Sequence, residues 1–296
     1  GRMHHMTSVN AKALDRSAEQ LAAIASQRGL DGLLLDGYLN EQGQYSYDEY
    51  AHTSANVSLK EYMTGSTELL VQTAVQTVRQ QNPELPVGLA VSPVWATADE
   101  QPDGIDLAYT RTSLGAYNAD SKGMIEKGLA DFVVVKNYGA TGSDQLPFEP
   151  IADWWSDTLS QAGVTGYMGH ASSRAGSWEN GWGPNSELAD QWKITQQEEG
   201  FCGSVFNSLE ALLKDVNYTT YYLKEAWEQE SSGDQMTAQA GSGSFSQRED
   251  LFAGLTLLEE VTPVGNYSVA DGDTIDLVAI AMDGAQVVAT VNGETL

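Results

Sequence analysis

Asp131-Phe132-Val133-Val134-Val135-Lys136 sets four apolar residues in a row between two charges. A short run that is apolar along its whole length, with β-branched residues in series, describes a strand buried on both faces, as in a parallel sheet. Four further stretches read the same way: Gly32-Leu33-Leu34-Leu35-Asp36, Val87-Gly88-Leu89-Ala90-Val91-Ser92, Val164-Thr165-Gly166-Tyr167-Met168-Gly169 and Phe201-Cys202-Gly203-Ser204-Val205-Phe206. Helical spacing fills the intervals. Leu14, Ala18, Leu21, Ala22 and Ala25 line one stripe over 11–28, stopped by Gly29. Leu69, Leu70, Ala74, Val75 and Val78 line another over 64–81, ended by Pro83 and Pro86. Further helices are predicted near 121–128, 149–162, 185–199 and 217–230. Alternating strand and helix predicts βα units on a parallel sheet, an α/β fold.

Composition narrows the function. The 296 residues include 41 Asp and Glu against 15 Lys and Arg, a formal charge of −26. Nucleic-acid binding needs a basic stripe that displaces phosphate counterions, and the scattered cations supply none. No apolar run reaches the roughly 20 residues of a membrane-spanning helix. The single cysteine, Cys202, excludes an intrachain disulfide framework and a cysteine-based zinc site. The histidines at 4, 5, 52 and 170 form no ligand-spaced pair within the fold, so no metal and no cofactor are expected. An all-oxygen calcium site stays open in so acidic a chain. There is no Gly-x-Ser-x-Gly elbow and no phosphate-cradling Gly-x-x-x-x-Gly-Lys loop.

In parallel α/β folds, ligands bind at the rim formed by the carboxyl ends of the strands. Asp36, Ser92, Lys136, Asn137 and His170 fall at those ends. Asp36 is the candidate catalytic group, since a carboxylate in this position can serve as acid or base. The bland alternative is a loop-capping Asp. Tyr38 can stack on a sugar or donate a hydrogen bond, and Lys136 is either a substrate ligand or the counter-charge of Asp36. His170 is either a ligand to a hydroxyl or a satisfied structural histidine. Trp95, Tyr138, Trp178 and Trp182 lie on the loops after the strands, where aromatic faces hold carbohydrate. Trp154, Trp155 and Trp192 sit on helices and read as packing residues.

The opening Gly1-Arg2-Met3-His4-His5-Met6 reads as a fragment edge over 1–10, followed by the α/β domain over 11–232. Residues 233–250, rich in Ser, Gly and Gln, read as a linker or loop. Residues 251–296 read as a partial β-sandwich-like segment. There the strands 274–280 and 286–291 are expected to join through an Asp283-Gly284 turn.

Taken in order, these stretches resemble glycosyl-hydrolase-like family 10, a group of bacterial (β/α)8 barrels. Gly29 to Tyr38 is similar to its fourth strand, Val87 to Pro93 to the next, and Ala130 to Tyr138 to the sixth. Gly166 to His170 and Gly203 to Ser208 resemble the last two, so the likeness covers about residues 11–214. Gly37 stands where the family usually has a second Asp, and Lys136 and His170 stand where it usually has Gln. The resemblance implies a (β/α)8 (TIM) barrel represented by its C-terminal five βα units, with the N-terminal barrel half missing and an open edge at 32–36. It further implies a secreted or envelope-associated bacterial glycosidase, a glycan such as peptidoglycan as partner, Asp36 as catalytic carboxylate, and Tyr38 and Tyr138 as binding residues. A glycosidase pairs two carboxyl groups. Asp48, Asp99, Asp144 and Glu179 are the loop candidates for the second. A non-catalytic carbohydrate-binding or surface adhesion module is the alternative.

Overall fold

The computed structural model describes residues 11–38, 50, 56–178, 181–232, 258–262, 278–281, 290–291 and 294–295. The chain divides into two compact units, Gly1–Met236 and Thr237–Leu296.

The first unit begins with helix α1 (Ala11–Ala25), followed by strand β1 (Leu33–Leu35) and helix α2 (Leu59–Gln81). Then come β2 (Val87–Val91), α3 (Ser121–Glu126), β3 (Phe132–Lys136), α4 (Phe148–Ala162), β4 (Thr165–His170) and α5 (Glu187–Gln197). Strand β5 (Phe201–Phe206), a short α6 (Leu209–Leu213) and α7 (Thr219–Ser232) complete it. The five strands form one sheet in the order β1-β2-β3-β4-β5, every pair parallel. Each strand therefore lies beside the next in sequence, as in the wall of a barrel, and the order never reverses as it does in a doubly wound sheet. This is the α/β architecture expected. β1 and β5 are its edge strands among the described residues.

Side-chain parity divides the sheet into two faces. Leu33 and Leu35, Val87, Leu89 and Val91, Val133 and Val135, and Met168 pack into one core with Val71, Val75 and Val78 of α2 and Phe148, Ile151, Trp155 and Leu159 of α4. The alternate residues take the other face. On that face the ring of Phe132 lies over Gly88, where a Cβ would overlap it, and meets Tyr167 edge-on with centroids 5.9 Å apart. Interior strand β2 is buried throughout, but Leu34 and Val205 on the edge strands are exposed. The expectation of burial on both faces thus holds in the middle of the sheet and lapses at its ends, where a neighbouring strand covers only one side.

Local chemistry sets the helix ends. Ser58 caps α2 and pairs reciprocally with Glu61, a capping box that starts the helix ahead of its apolar stripe. Gly163, at φ 65°, ends α4 in the left-handed conformation that glycine adopts readily.

In the second unit, β6 (Leu258–Thr262) pairs antiparallel with β7 (Val278–Ala281), and β8 (Thr290–Val291) pairs antiparallel with β9 (Glu294–Thr295). The strand expected over 274–280 is β7 in its described part, and it pairs with β6; residues 286–289 of its expected partner lie outside the described residues. The Asp283-Gly284 turn lies outside the described residues.

Candidate active-site rim

Asp36 follows the last residue of β1, and Lys136 is the last residue of β3. The Lys136 Nζ donates to Asp36 Oδ1 at 2.6 Å. The backbone N–H of Gly37 donates to the same oxygen at 2.7 Å. Gly37 has a φ of 75°, the left-handed turn that brings its amide back onto the Asp36 side chain. The Asp36 side chain is 55% exposed and that of Lys136 25%. The carboxylate singled out from sequence therefore stands open at the rim with a cation fixed against it.

Tyr38 is buried, and its hydroxyl has no hydrogen-bond partner among the described residues. Burial, reinforced by the Asp36 charge, pushes its phenol well above the usual range, so it stays protonated. Ser92, at the end of β2, is buried between the two strands that carry Asp36 and Lys136. Asn137 is also buried; its Nδ2 donates to the Phe148 carbonyl at 3.0 Å, tying the end of β3 to the start of α4. The Tyr138 hydroxyl accepts from Asn207 Nδ2 at 3.1 Å, and its carbonyl accepts from Arg174 Nη1 at 3.4 Å. Tyr138 thus belongs to a polar group at the ends of β3, β4 and β5.

Several expected rim residues turn out to serve packing. Trp95 is buried: its Nε1 donates to Asp120 Oδ1 at 2.9 Å, its ring stacks on Trp154, and Lys122 lies over it. Trp182 is buried in a second apolar cluster with Leu188 and Leu223. His170 is fully buried, sandwiched between Phe148 and Phe206 at centroid distances of 5.5 and 4.9 Å. It shares its face with Met168, and so points into the helix layer. Trp178 alone of the four loop and rim aromatics and His170 is open, at 99% exposure.

The hydrogen bonds around His170 fix its tautomer. Gln191 Nε2 donates to the Gly139 carbonyl at 3.1 Å and to Glu187 Oε1 at 2.7 Å, which leaves Gln191 Oε1 as an acceptor. His170 Nδ1, 3.1 Å away, therefore carries the proton and donates to it. Nε2 then accepts from the Ser204 hydroxyl at 2.9 Å. Glu187 also accepts from the Thr141 amide and hydroxyl, each at 2.7 Å. Burial lowers the histidine to about 4, so the ring is neutral near pH 7. Sequence reading missed Glu187, Gln191, Ser204, Arg174 and Asn207. The i,i+4 spacing of Glu187 and Gln191 on α5 was the one signal available for the first two.

Lys60, at the start of α2, secures the long loop after β2. Its Nζ donates to the carbonyls of Leu114 and Gly115 and to Asn118 Oδ1. Desolvation lowers its pKa. Asp99 and Asp144, candidates for a second carboxyl group, are exposed on the loops after β2 and β3. Asp48 and Glu179 lie outside the described residues.

No family model matches the chain. It is similar to two proteins named glycosyl hydrolase. One is YngK of Bacillus subtilis (strain 168), 25% identical over 193 residues, a match spanning 62% of this chain and 37% of YngK. The other is DigH of Escherichia coli (strain K12), 22% identical over 221 residues, spanning 70% of this chain and 50% of DigH. The chain thus spans half or less of the length of these curated relatives. Among solved structures, the glycoside hydrolase domain of PgaB (BpsB) from Bordetella bronchiseptica aligns with a TM-score of 0.44 and 14% identity. That alignment covers 74% of this chain and 66% of the other. The likeness to proteins named glycosyl hydrolase thus extends over part of this chain and part of theirs.

Proposed function

We propose that the chain is a glycoside hydrolase acting on bacterial cell-wall or other complex glycan, with Asp36 as its catalytic carboxylate. The observation that carries this reading is the exposed Asp36 carboxylate at the carboxyl rim of the sheet, held by Lys136 and by the Gly37 amide. Similarity to proteins named glycosyl hydrolase supports it. Glycosidic cleavage takes a second carboxyl group, about 5 Å away for retention of configuration or about 6.5–9.5 Å for inversion. The loop acids Asp48, Asp99, Asp144 and Glu179 are its candidates. Trp178 offers an open indole on which the C–H face of a sugar can pack, and Tyr138 offers a phenol beside Asn207.

The work is placed outside the cytoplasm, at the cell envelope or beyond it, where such glycans lie. No helix among the described residues is long and apolar enough to cross a membrane. Purified peptidoglycan glycan strands, assayed for new reducing ends, test the proposal. Asp36→Asn is expected to lower turnover by about 10²- to 10⁴-fold, the usual worth of a positioned acid–base group. Unchanged turnover would overturn it. Glycan binding without product release, insensitive to Asp36→Asn, would instead assign a carbohydrate-binding module.

A further inference from the structure

Among the described residues, both hydrogen bonds to the Asp36 side chain fall on one oxygen. The Lys136 ammonium and the Gly37 amide meet at Oδ1, at 2.6 and 2.7 Å. Oδ2 has no hydrogen-bond partner among the described residues. The bridge also reaches across an intervening strand. Asp36 and Lys136 belong to strands separated by β2, hence by two strand spacings of roughly 4.8 Å each. A pair of side chains can close that gap only if β2 presents small residues beneath them. On that face β2 carries Gly88 and Ala90, followed by Ser92 just past its end, and Ala90 and Ser92 are buried. Extending the β2–β3 register by one step from Val91 and Val135 sets Ser92 beside Lys136. On the far side, Gly169 pairs with Lys136, and a Cβ there would sit 3.3 Å from the Lys136 Cα. Small residues thus flank the lysine on both sides.

We infer that Lys136 is a positioning residue that fixes Asp36 through Oδ1 and leaves Oδ2 as the oxygen available to the glycan. This rests on the reading of Asp36 as the catalytic carboxylate. A carboxylate clamped by two donors on one oxygen loses its freedom to rotate about χ2, and its free lone pairs acquire a fixed direction. Asp36 then enters the reaction as an acceptor, and the proton donor is the second carboxyl group.

The test compares the 296-residue chain with its Lys136→Met and Lys136→Arg variants. Crystal structures should show one Asp36 rotamer in the parent and in Lys136→Arg, and several in Lys136→Met. With peptidoglycan glycan strands as the probe, Lys136→Met should lower kcat by about 10²-fold, the scale of a small misplacement of a reacting group, with KM within twofold. Lys136→Arg should recover most of that loss. An unchanged Asp36 rotamer in Lys136→Met, or an unchanged kcat, would overturn the inference. A rise in KM at constant kcat would also overturn it, assigning Lys136 to substrate binding. Cleavage that survives Asp36→Asn would remove the catalytic reading by itself, while the rotamer comparison would still decide whether Lys136 fixes the carboxylate.

Discussion

His170 is stacked between two phenylalanines and held neutral by burial, with its folded value near 4 against an ordinary 6.5. The unfolded chain therefore binds a proton below pH 6.5 that the folded chain refuses until about pH 4. Where the unfolded state binds more protons, stability falls as pH falls. The contribution is intact at pH 7 and declines through the window from about 6.5 to about 4. Chemical denaturation at pH 7 and pH 5 should show a loss of about 2 kcal/mol from this residue. His170→Gln should flatten the slope, and an equal slope in both proteins would show that the ring is not held neutral. The same residue marks the limit of sequence reading at this scale. A position at the end of a strand was legible, and it found Asp36 and Lys136. The face was not, because parity counted from an uncertain strand start decides whether a side chain meets solvent or helix. His170 fell on the helix side and Lys136 on the open side. Trp95 and Trp182 turned inward and Trp178 did not, because an indole on a loop satisfies either a sugar or a core, and only the path of the loop chooses.

At the scale of elements, β2 and β3 are matched through Gly88 and Phe132. The ring occupies the space that a side chain at position 88 would need. Gly88→Ala should therefore cost about 1–3 kcal/mol, the range for overpacking a filled site. The penalty should shrink in a Phe132→Leu background, as a double-mutant cycle by urea denaturation would measure. Equal penalties in both backgrounds would place the strain elsewhere. Helix positions were largely legible because their apolar stripes survive in the fold. The start of α2 was not, since the Ser58–Glu61 capping box lies ahead of the stripe and signals through polar residues. In the second unit, β6 as a partner of β7 was not legible. A strand that recognises its partner through backbone groups carries little record of that partner in its own side chains, and β7 pairs with β6.

Across the whole molecule, a formal charge of −26 sets acidic side chains against one another. Such self-repulsion destabilises a compact state, and salt screens it over a Debye length of about 10 Å at 0.1 M. Raising NaCl from 10 to 300 mM should raise Tm by several degrees in calorimetry; a flat or falling Tm would mean that the ion pairs of Lys136, Arg79, Lys122 and Lys127 outweigh the repulsion. The serial order of the sheet was legible at this scale, since strand–helix alternation with short apolar runs admits few parallel topologies. The edge expected at 32–36 is β1; what the alternation could not record is which apolar residues on the edge strands stay wet.

The solvent-flooded indole of Trp178 has a practical corollary. Of the chain's seven tryptophans, Trp95, Trp155 and Trp182 are shut away, and Trp178 stands wholly in water. A collisional quencher such as iodide reaches that fluorophore first, so the red edge of the emission spectrum is dominated by a lamp mounted on the loop after β4. The molecule carries its own dye for reporting what settles there, with no label attached.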